Sequence, residues 1–188
     1  MLNMVLSDYD IEEELKKGDF SITPYDKSSL QPSSYDLHLG SKFIVFDNHN
    51  IDVIDVKIKN NNFRTIDVSE KGFFMIHPNN FVLSSTIEKV KMPKYLCGRI
   101  EGKSSIGRLG LIVHVTAGYI DPGFDGTLTL EMFNLSSVPI KIYPDMKIAQ
   151  LSLLLLKTPS KKSYGEYGNK YQGQIDPKES MFWKNFEE

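Results

Sequence analysis

Turn-forming residues cut this chain into runs too short, over most of its length, for anything but strands. Alternating or apolar stretches at 21–24, 35–39, 73–76, 81–86, 96–100, 111–116, 127–133, 140–143 and 148–156 recur between clusters of Gly, Pro, Asn and Asp. Many short strands with frequent turns specify a mainly β domain, a barrel or a jelly-roll-like arrangement of sheets. One short N-terminal helix is the exception. Ser7 and Asp10 read as an N-cap signal, Ile11 and Leu15 then share a face, and Lys16, Lys17 and Gly18 suit a C-terminus. At 188 residues the chain suits one domain, 1–188, with enough length to bury a core. It shows neither an internal repeat nor the Gly-rich strand-to-helix turn of dinucleotide-binding folds.

Residues 99–133 concentrate the chemistry. Lys103, Ser104, Ser105 and Arg108 offer two cations and two hydroxyls within six residues. Gly102 and Gly107 relax the backbone so that N–H groups can converge on an anion. If Ser104 opens a helical turn, partial positive charge collects at the same place. This is either a phosphate cradle or an ordinary solvated loop. Residues 127–133 alternate as a strand requires, so Thr129 and Glu131 share one face while Leu128, Leu130 and Met132 face the core. Glu131 is therefore a surface carboxylate or one held in a pocket. Asp121, before Pro122-Gly123, opens a β-turn whatever else it does. His77, in His77-Pro78-Asn79-Asn80, reads as a turn residue rather than a ligand.

Composition closes several alternatives. Lys plus Arg number 22 and Asp plus Glu 24, a net charge of −2, without the strongly basic face of bulk nucleic-acid binding. The single Cys97 allows neither an internal disulfide nor a thiolate metal cluster. The His-x-Glu and Pro-Cys-x-x-Cys signature of zinc deaminases is missing, so no zinc is expected. Residues 1–10 do not form a secretory signal, and the apolar run around 151–156 is too short to span a bilayer. A soluble, cytoplasmic protein is expected. Residues 47–62 are polar, with Asn60-Asn61-Asn62, and read as a hairpin or excursion. Residues 158–173 are rich in Ser, Lys, Gly and Tyr; composition reads them as a flexible tail. Tyr164, Tyr167, Lys170 and Tyr171 lie within it, and Met181, Phe182, Trp183 and Phe186 are expected to dock on the body or on a neighbour.

In this order the pieces resemble the dCTP deaminase family, which shares its fold with the trimeric dUTPases. The resemblance rests on Gly102-Lys103-Ser104-Ser105-Ile106-Gly107-Arg108-Leu109-Gly110-Leu111, His114-Val115-Thr116-Ala117, Ile120-Asp121-Pro122-Gly123-Phe124 and Leu130-Glu131. It extends to Gln31-Pro32-Ser33-Ser34-Tyr35-Asp36-Leu37-His38-Leu39-Gly40 and Lys170-Tyr171-Gln172-Gly173-Gln174, and so covers most of the chain.

The resemblance implies a dUTPase-like fold and hydrolytic deamination of dCTP at cytosine C4. Glu131 matches the catalytic acid/base, and Leu130, Met132 and Phe133 are expected to give it an apolar setting. Ser104 and Arg108 are implied near the water and the tetrahedral centre. Lys103, Ser104, Ser105, Ile106, Gly107 and Arg108 match the phosphate-binding turn, Ala117 the base contact and Asp121 the 3′-hydroxyl contact. Thr129, Leu130, Gln150, Tyr164, Lys170 and Gln174 complete the implied nucleotide contacts, with 158–188 as a tail that covers the nucleotide and docks. His114 is as well explained by a structural role. Asp36 receives no catalytic role.

Gly118, Tyr119, Gln150 and the tail resemble the bifunctional branch, which cleaves on to dUMP and diphosphate. There Phe or Trp is more usual at 119, and Gly at 149, where this chain has Ala149. Mg²⁺ is expected with the triphosphate, held by phosphates and water rather than by a protein cage. A homotrimer is implied, with dCTP as substrate, dTTP as inhibitor, and neither nucleic acid nor membrane as partner. The alternatives are a dCTP deaminase releasing dUTP, a dUTPase without deamination, and a non-catalytic nucleotide sensor.

Overall fold

The computed structural model describes residues 4–47, 52–166 and 169–187. Tyr167 and part of the polar excursion, 48–51, lie outside the described residues. In chain order the elements are helix α1 (Asp8–Lys17), then strands β1 (Ser21–Thr23), β2 (Leu30–Gln31), β3 (Ser34–His38) and β4 (Lys42–Phe46). Strands β5 (Phe63–Asp67), β6 (Phe74–Ile76), β7 (Phe81–Lys91) and β8 (Leu96–Gly102) lead to the one-turn helix α2 (Ser104–Gly107). The remainder is β9 (Leu111–Val113), β10 (Tyr119–Ile120), β11 (Asp125–Asn134), β12 (Ile140–Ile142) and β13 (Lys147–Leu155).

α1 forms for local reasons. Ser7 Oγ accepts from Asp10 N, and Asp10 Oδ2 accepts from Ser7 N, so each end of the capping box satisfies an orphan donor. Gly18, at φ 83°, ends the helix in the left-handed region that favours glycine. The Tyr95 hydroxyl donates to Glu14 at 2.9 Å and ties the helix to the segment before β8.

The strands form two large sheets. One runs β5-β4-β7-β11-β9, with β1 also on β7, and the other runs β10-β8-β13-β3-β2. β12 and β6 make a separate pair. Among the described residues neither sheet closes on itself, and the sheets take a layered, jelly-roll-like form rather than that of a closed barrel. Tyr35 and Leu37 from β3, Leu130 and Met132 from β11, and Leu151 and Leu153 from β13 enter one core. Burying one such leucine or methionine contributes roughly 1.5–3 kcal/mol. A one-residue slip of β11 would expose Leu128, Leu130 and Met132 and drive Glu131 inward, so core packing holds Glu131 on its face.

Several strands depart from the sequence pattern. β7 continues to Lys91, beyond 81–86, although Ser84, Ser85, Thr86 and Glu88 are buried within it. Those polar groups find local partners: Ser84 Oγ donates to Lys42 O and Thr86 Oγ1 to Glu88 O. β9 stops at Val113, short of 116, because His114 takes φ 60°. β4 and β5 flank the excursion and are not marked by the pattern; β5 is a sheet edge with no fully buried residue to announce it.

The tail follows the body closely. Ser160 N donates to Lys94 O, Tyr164 N to Pro122 O and Gly173 N to Asp125 O, and Thr127 N donates to Gln174 O. Residues 173–174 thus occupy the part of β11 that lies before its pairing with β9. A 3₁₀ turn, Phe182–Phe186, closes the described chain beside the excursion, with Lys57 over the Phe186 ring and Lys59 over Trp183. Phe182 and Phe186 stay about half exposed.

Candidate active site

α2 begins where β8 runs out. Lys103 keeps extended angles (φ −85°, ψ 130°) at the N-cap, and its carbonyl accepts from Ile106 N and Gly107 N, both at 3.0 Å. The first N–H groups of a helical turn have no acceptor within it, which leaves donors at Ser104 and Ser105. Four residues make only a small dipole, so these donors, the hydroxyls and the cations matter more than the expected helix charge. Gly102, Lys103, Ser104, Ser105, Gly107 and Gln150 line a cleft of about 400 Å³, with β9 along one side. A larger cavity of about 1120 Å³, lined by Val45, Ile66, Phe182 and Trp183 among others, shares no residue with it.

The Lys103 ammonium is not a loose cation. It lies 2.5 Å from the buried Asp36 carboxylate, which also accepts from Gln31 Nε2 and stands 3.5 Å from Lys147 Nζ. Asp36 and Lys147 are members of this cluster that the sequence does not reveal; the signal in hindsight is one acid in the otherwise strand-like 35–39. Arg108 is exposed at the end of α2, and its N–H donates to Ser104 O.

Glu131 sits half-buried on β11 and is not among the residues that line that cleft. Thr116 Oγ1 donates to its Oε2 at 2.9 Å, and His114 N donates to its main-chain oxygen at 2.7 Å. His114 Nε2 lies 2.7 Å from Ala117 O, and because a carbonyl only accepts, that nitrogen carries the proton. The 114–117 turn is therefore clamped to Glu131 through Thr116 and His114, and His114 in turn holds the Ala117 carbonyl. Thr116 is a further residue the motif match did not single out. Leu130 and Met132 are fully buried on the opposite face of the strand. They fix Glu131 in register from the opposite face, while Phe133, two residues on, shares the face of the carboxylate.

A third group gathers at the Asp121 turn. Asp121 O accepts from Phe124 N, and Gly123 has φ 88°. Tyr164 meets Phe124 edge-on at 5.5 Å. A Cβ on Gly123 would lie 2.6 Å from Ser163 Cβ, so the tail needs glycine there. Burial pushes the Cys97 thiol up, with the nearby Asp121 charge adding to it. Gln174 is buried; its Nε2 donates to Thr127 O and its Oε1 has no partner among the described residues. Lys170 Nζ donates to Asn185 and lies over the Phe182 ring. Thr129 Oγ1 accepts from Lys178 N at 3.4 Å.

Gly118 precedes β10, which Tyr119 opens. Gly118 O accepts from Ile100 N, and a Cβ at 118 would come within 3.1 Å of Ile100 O, so its near neighbour is β8 backbone. Tyr119 is largely exposed and lies under Arg99, whose Nε is 2.6 Å from Glu101. Among the described residues no three His, Cys, Asp or Glu side chains converge as a metal site. No helix of the described chain is long and apolar enough to cross a membrane.

Neither Glu131 nor Asp121 lines the phosphate-type cleft, although its wall residue Val113 pairs with Met132, the neighbour of Glu131. A family profile described as dCTP deaminase-like matches residues 5–155. The chain is 47% identical over 186 residues to a protein of Acidothermus cellulolyticus named "dCTP deaminase, dUMP-forming", covering 97% of each. A protein of the same name from Corynebacterium glutamicum is 45% identical, with 97% of this chain and 98% of the relative covered. The fold is similar to the crystal structure of 2′-deoxycytidine 5′-triphosphate deaminase from Agrobacterium tumefaciens, with TM-score 0.64 and 20% identity. That match covers 82% of this chain and 49% of the other, so the chain spans about half the length of that structure.

Proposed function

Since the chain belongs to the dCTP deaminase-like family, we propose that it deaminates dCTP and goes on to cleave the triphosphate, giving dUMP, ammonia and diphosphate, a supply line for dTTP. The observation that carries this is Glu131: a half-buried carboxylate on a core-locked strand, oriented by the Thr116 hydroxyl. A single carboxylate so held can move protons in both directions during one reaction.

Water attacks C4 while Glu131 accepts its proton. The same proton then reaches N3, and a second transfer through Glu131 lets the C4–N4 bond break with ammonia leaving. Ser104 orients the water, and Arg108 holds the polar network at the tetrahedral centre. The bases of selection are the Ala117 backbone against the cytosine edge and Asp121 at the 3′-hydroxyl, where close packing excludes a ribose. Lys103, Ser104, Ser105, Ile106, Gly107 and Arg108 take the phosphates. Thr129, Leu130, Gln150, Tyr164, Lys170 and Gln174 complete the pocket as residues 158–188 close over it.

The residues present fit Mg²⁺ carried in by the triphosphate: phosphate oxygens and water would hold it, since the Asp36 carboxylate beside the cleft is already engaged by Lys103. When bound, the ion offsets charge on the departing diphosphate. In the second hydrolysis a water attacks the α-phosphorus, the bond to the β-phosphate oxygen breaks, and Lys103 and Lys170 stabilise the leaving group.

The three groups come together if the assembly is a homotrimer in which Ser104 and Arg108 of one chain face Glu131 of a neighbour. dTTP, with the same sugar and triphosphate but no amine to lose, is an inhibitor at this site. The setting is the cytoplasm. The deciding experiment supplies dCTP and Mg²⁺ and resolves dUTP, dUMP and diphosphate. dUMP with stoichiometric diphosphate and little free dUTP is expected. Stoichiometric dUTP without diphosphate would leave only the deaminase, and hydrolysis of dUTP with no ammonia from dCTP would leave only a dUTPase.

A further inference from the structure

Lys103 enters the cleft already tied down. Its Nζ lies 2.5 Å from Asp36 Oδ1, and Asp36 is 2% exposed. The other carboxylate oxygen accepts from Gln31 Nε2 at 3.2 Å and stands 3.5 Å from Lys147 Nζ. In the sheet, Gln150 pairs in register with Asp36 on one side and Glu101 on the other. Residues paired in register point to one face. The three therefore form a row across the sheet, opposite the face that carries Tyr35, Leu37 and Leu151 into the core. Lys103 follows the end of β8, so its side chain spans β13, the strand that bears Gln150, to reach Asp36 on β3.

A buried ion pair is a poor source of net stability, because desolvation offsets much of the attraction. It is a good way to restrict a lysine, whose four-carbon stem otherwise samples many rotamers. We infer that Asp36 is a positioning residue for the polyphosphate: it holds the Lys103 ammonium over Gln150 before ligand arrives. An ammonium has three N–H donors; Asp36 takes one and leaves two for phosphate oxygens. The ordering of a long cationic side chain is then complete in the free protein rather than charged against binding. This inference rests on the nucleoside triphosphate reading of the cleft.

The test uses the full-length protein with two ligands, dCTP and inorganic triphosphate, each with Mg²⁺. Asp36→Asn keeps the size and an acceptor oxygen but removes the charge. Loss of one charge-assisted contact should raise KM for dCTP roughly tenfold, with a much smaller change in kcat. Calorimetric affinity for inorganic triphosphate should weaken in parallel. In a Lys103→Met background the same substitution should add nothing to either loss. A KM that stays the same or falls overturns the inference, since Asp36 would then only offset charge. So does an equal loss without Lys103, which would mean that Asp36 merely supports the sheet. The calorimetric arm needs no turnover, so a protein that fails to deaminate dCTP counts against the proposed function and not against this coupling.

If Asp36→Asn does not fold, the wild-type protein still decides the matter by lysine-ammonium NMR. The Lys103 signal, assigned by its loss in Lys103→Met, should persist and shift when inorganic triphosphate binds. A signal that vanishes into solvent exchange on binding would show the ammonium leaving Asp36 and would overturn the inference.

Discussion

At the scale of single residues, Glu131 and Gly118 make the sharpest demands. Glu131→Gln keeps the volume and the bond from Thr116 but cannot carry a proton. Deamination should fall by ~10²–10⁴ while dCTP still binds, and a steady-state assay beside a binding titration separates the two. Near-normal turnover would remove Glu131 from the chemistry. Gly118 is subtler. A methyl there presses on Ile100 O at 3.1 Å before it reaches any ligand, so Gly118→Ala should shift the start of β10 and with it Tyr119. Phosphate cleavage should drop more than deamination, and dUTP should accumulate in the product mixture. Equal losses in both steps would detach these two residues from the second reaction.

At the scale of elements, α1 and the tail answer to different forces. The α1 cap is local: Ser7→Ala should cost about 1 kcal/mol in a denaturant titration. Hydrogen bonds from the Ser7 backbone and then its hydroxyl hold the Asp10 carboxyl below its usual value of 3.8. A depressed carboxylate pKa means that the unfolded chain binds the proton more readily. This contribution is therefore complete above pH 3.8 and is lost as pH falls through the lower folded value. Melting curves across the acid range should show a shallower decline in Asp10→Ala than in the parent; an identical decline would mean that the cap carries no linkage. The tail depends instead on long-range fit. Gly123→Ala meets both a φ of 88° and Ser163 Cβ at 2.6 Å. It should loosen residues 160–166 and 169–174, seen as faster amide exchange there with α1 unaffected.

At the scale of the whole molecule, the proposed trimer, with Ser104 and Arg108 facing a neighbour's Glu131, has a direct consequence. Arg108→Ala and Glu131→Gln chains are each expected to be inactive alone. Mixed and reassembled, they should regain activity, because some interfaces then unite an intact α2 turn with an intact carboxylate. Verified mixed trimers with no recovery would point to sites completed within one chain. Within each chain the core and the 114–117 turn keep the carboxylate in place. Leu130 and Met132 hold Glu131 from below, and Thr116 and His114 hold it from the same chain.

Local pattern in the sequence was enough to place α1 between Ser7 and Gly18, to put Thr129 and Glu131 on one face of a strand, and to mark the turn at Ser104. Those features depend on neighbours a few residues apart, through capping, side-chain alternation and glycine freedom, and such forces are written in the order of residues. Tertiary structure alone decided that Lys103 meets Asp36, 67 residues away, and that Gln150 lies between Asp36 and Glu101. It also decided that β7 keeps buried serines and a glutamate in a long strand, and that the tail lies along β11. The physical reason is common to all of these. Strand order and the pairing of distant polar groups arise from closing a shared core, and no period within one strand encodes which strand will lie beside it.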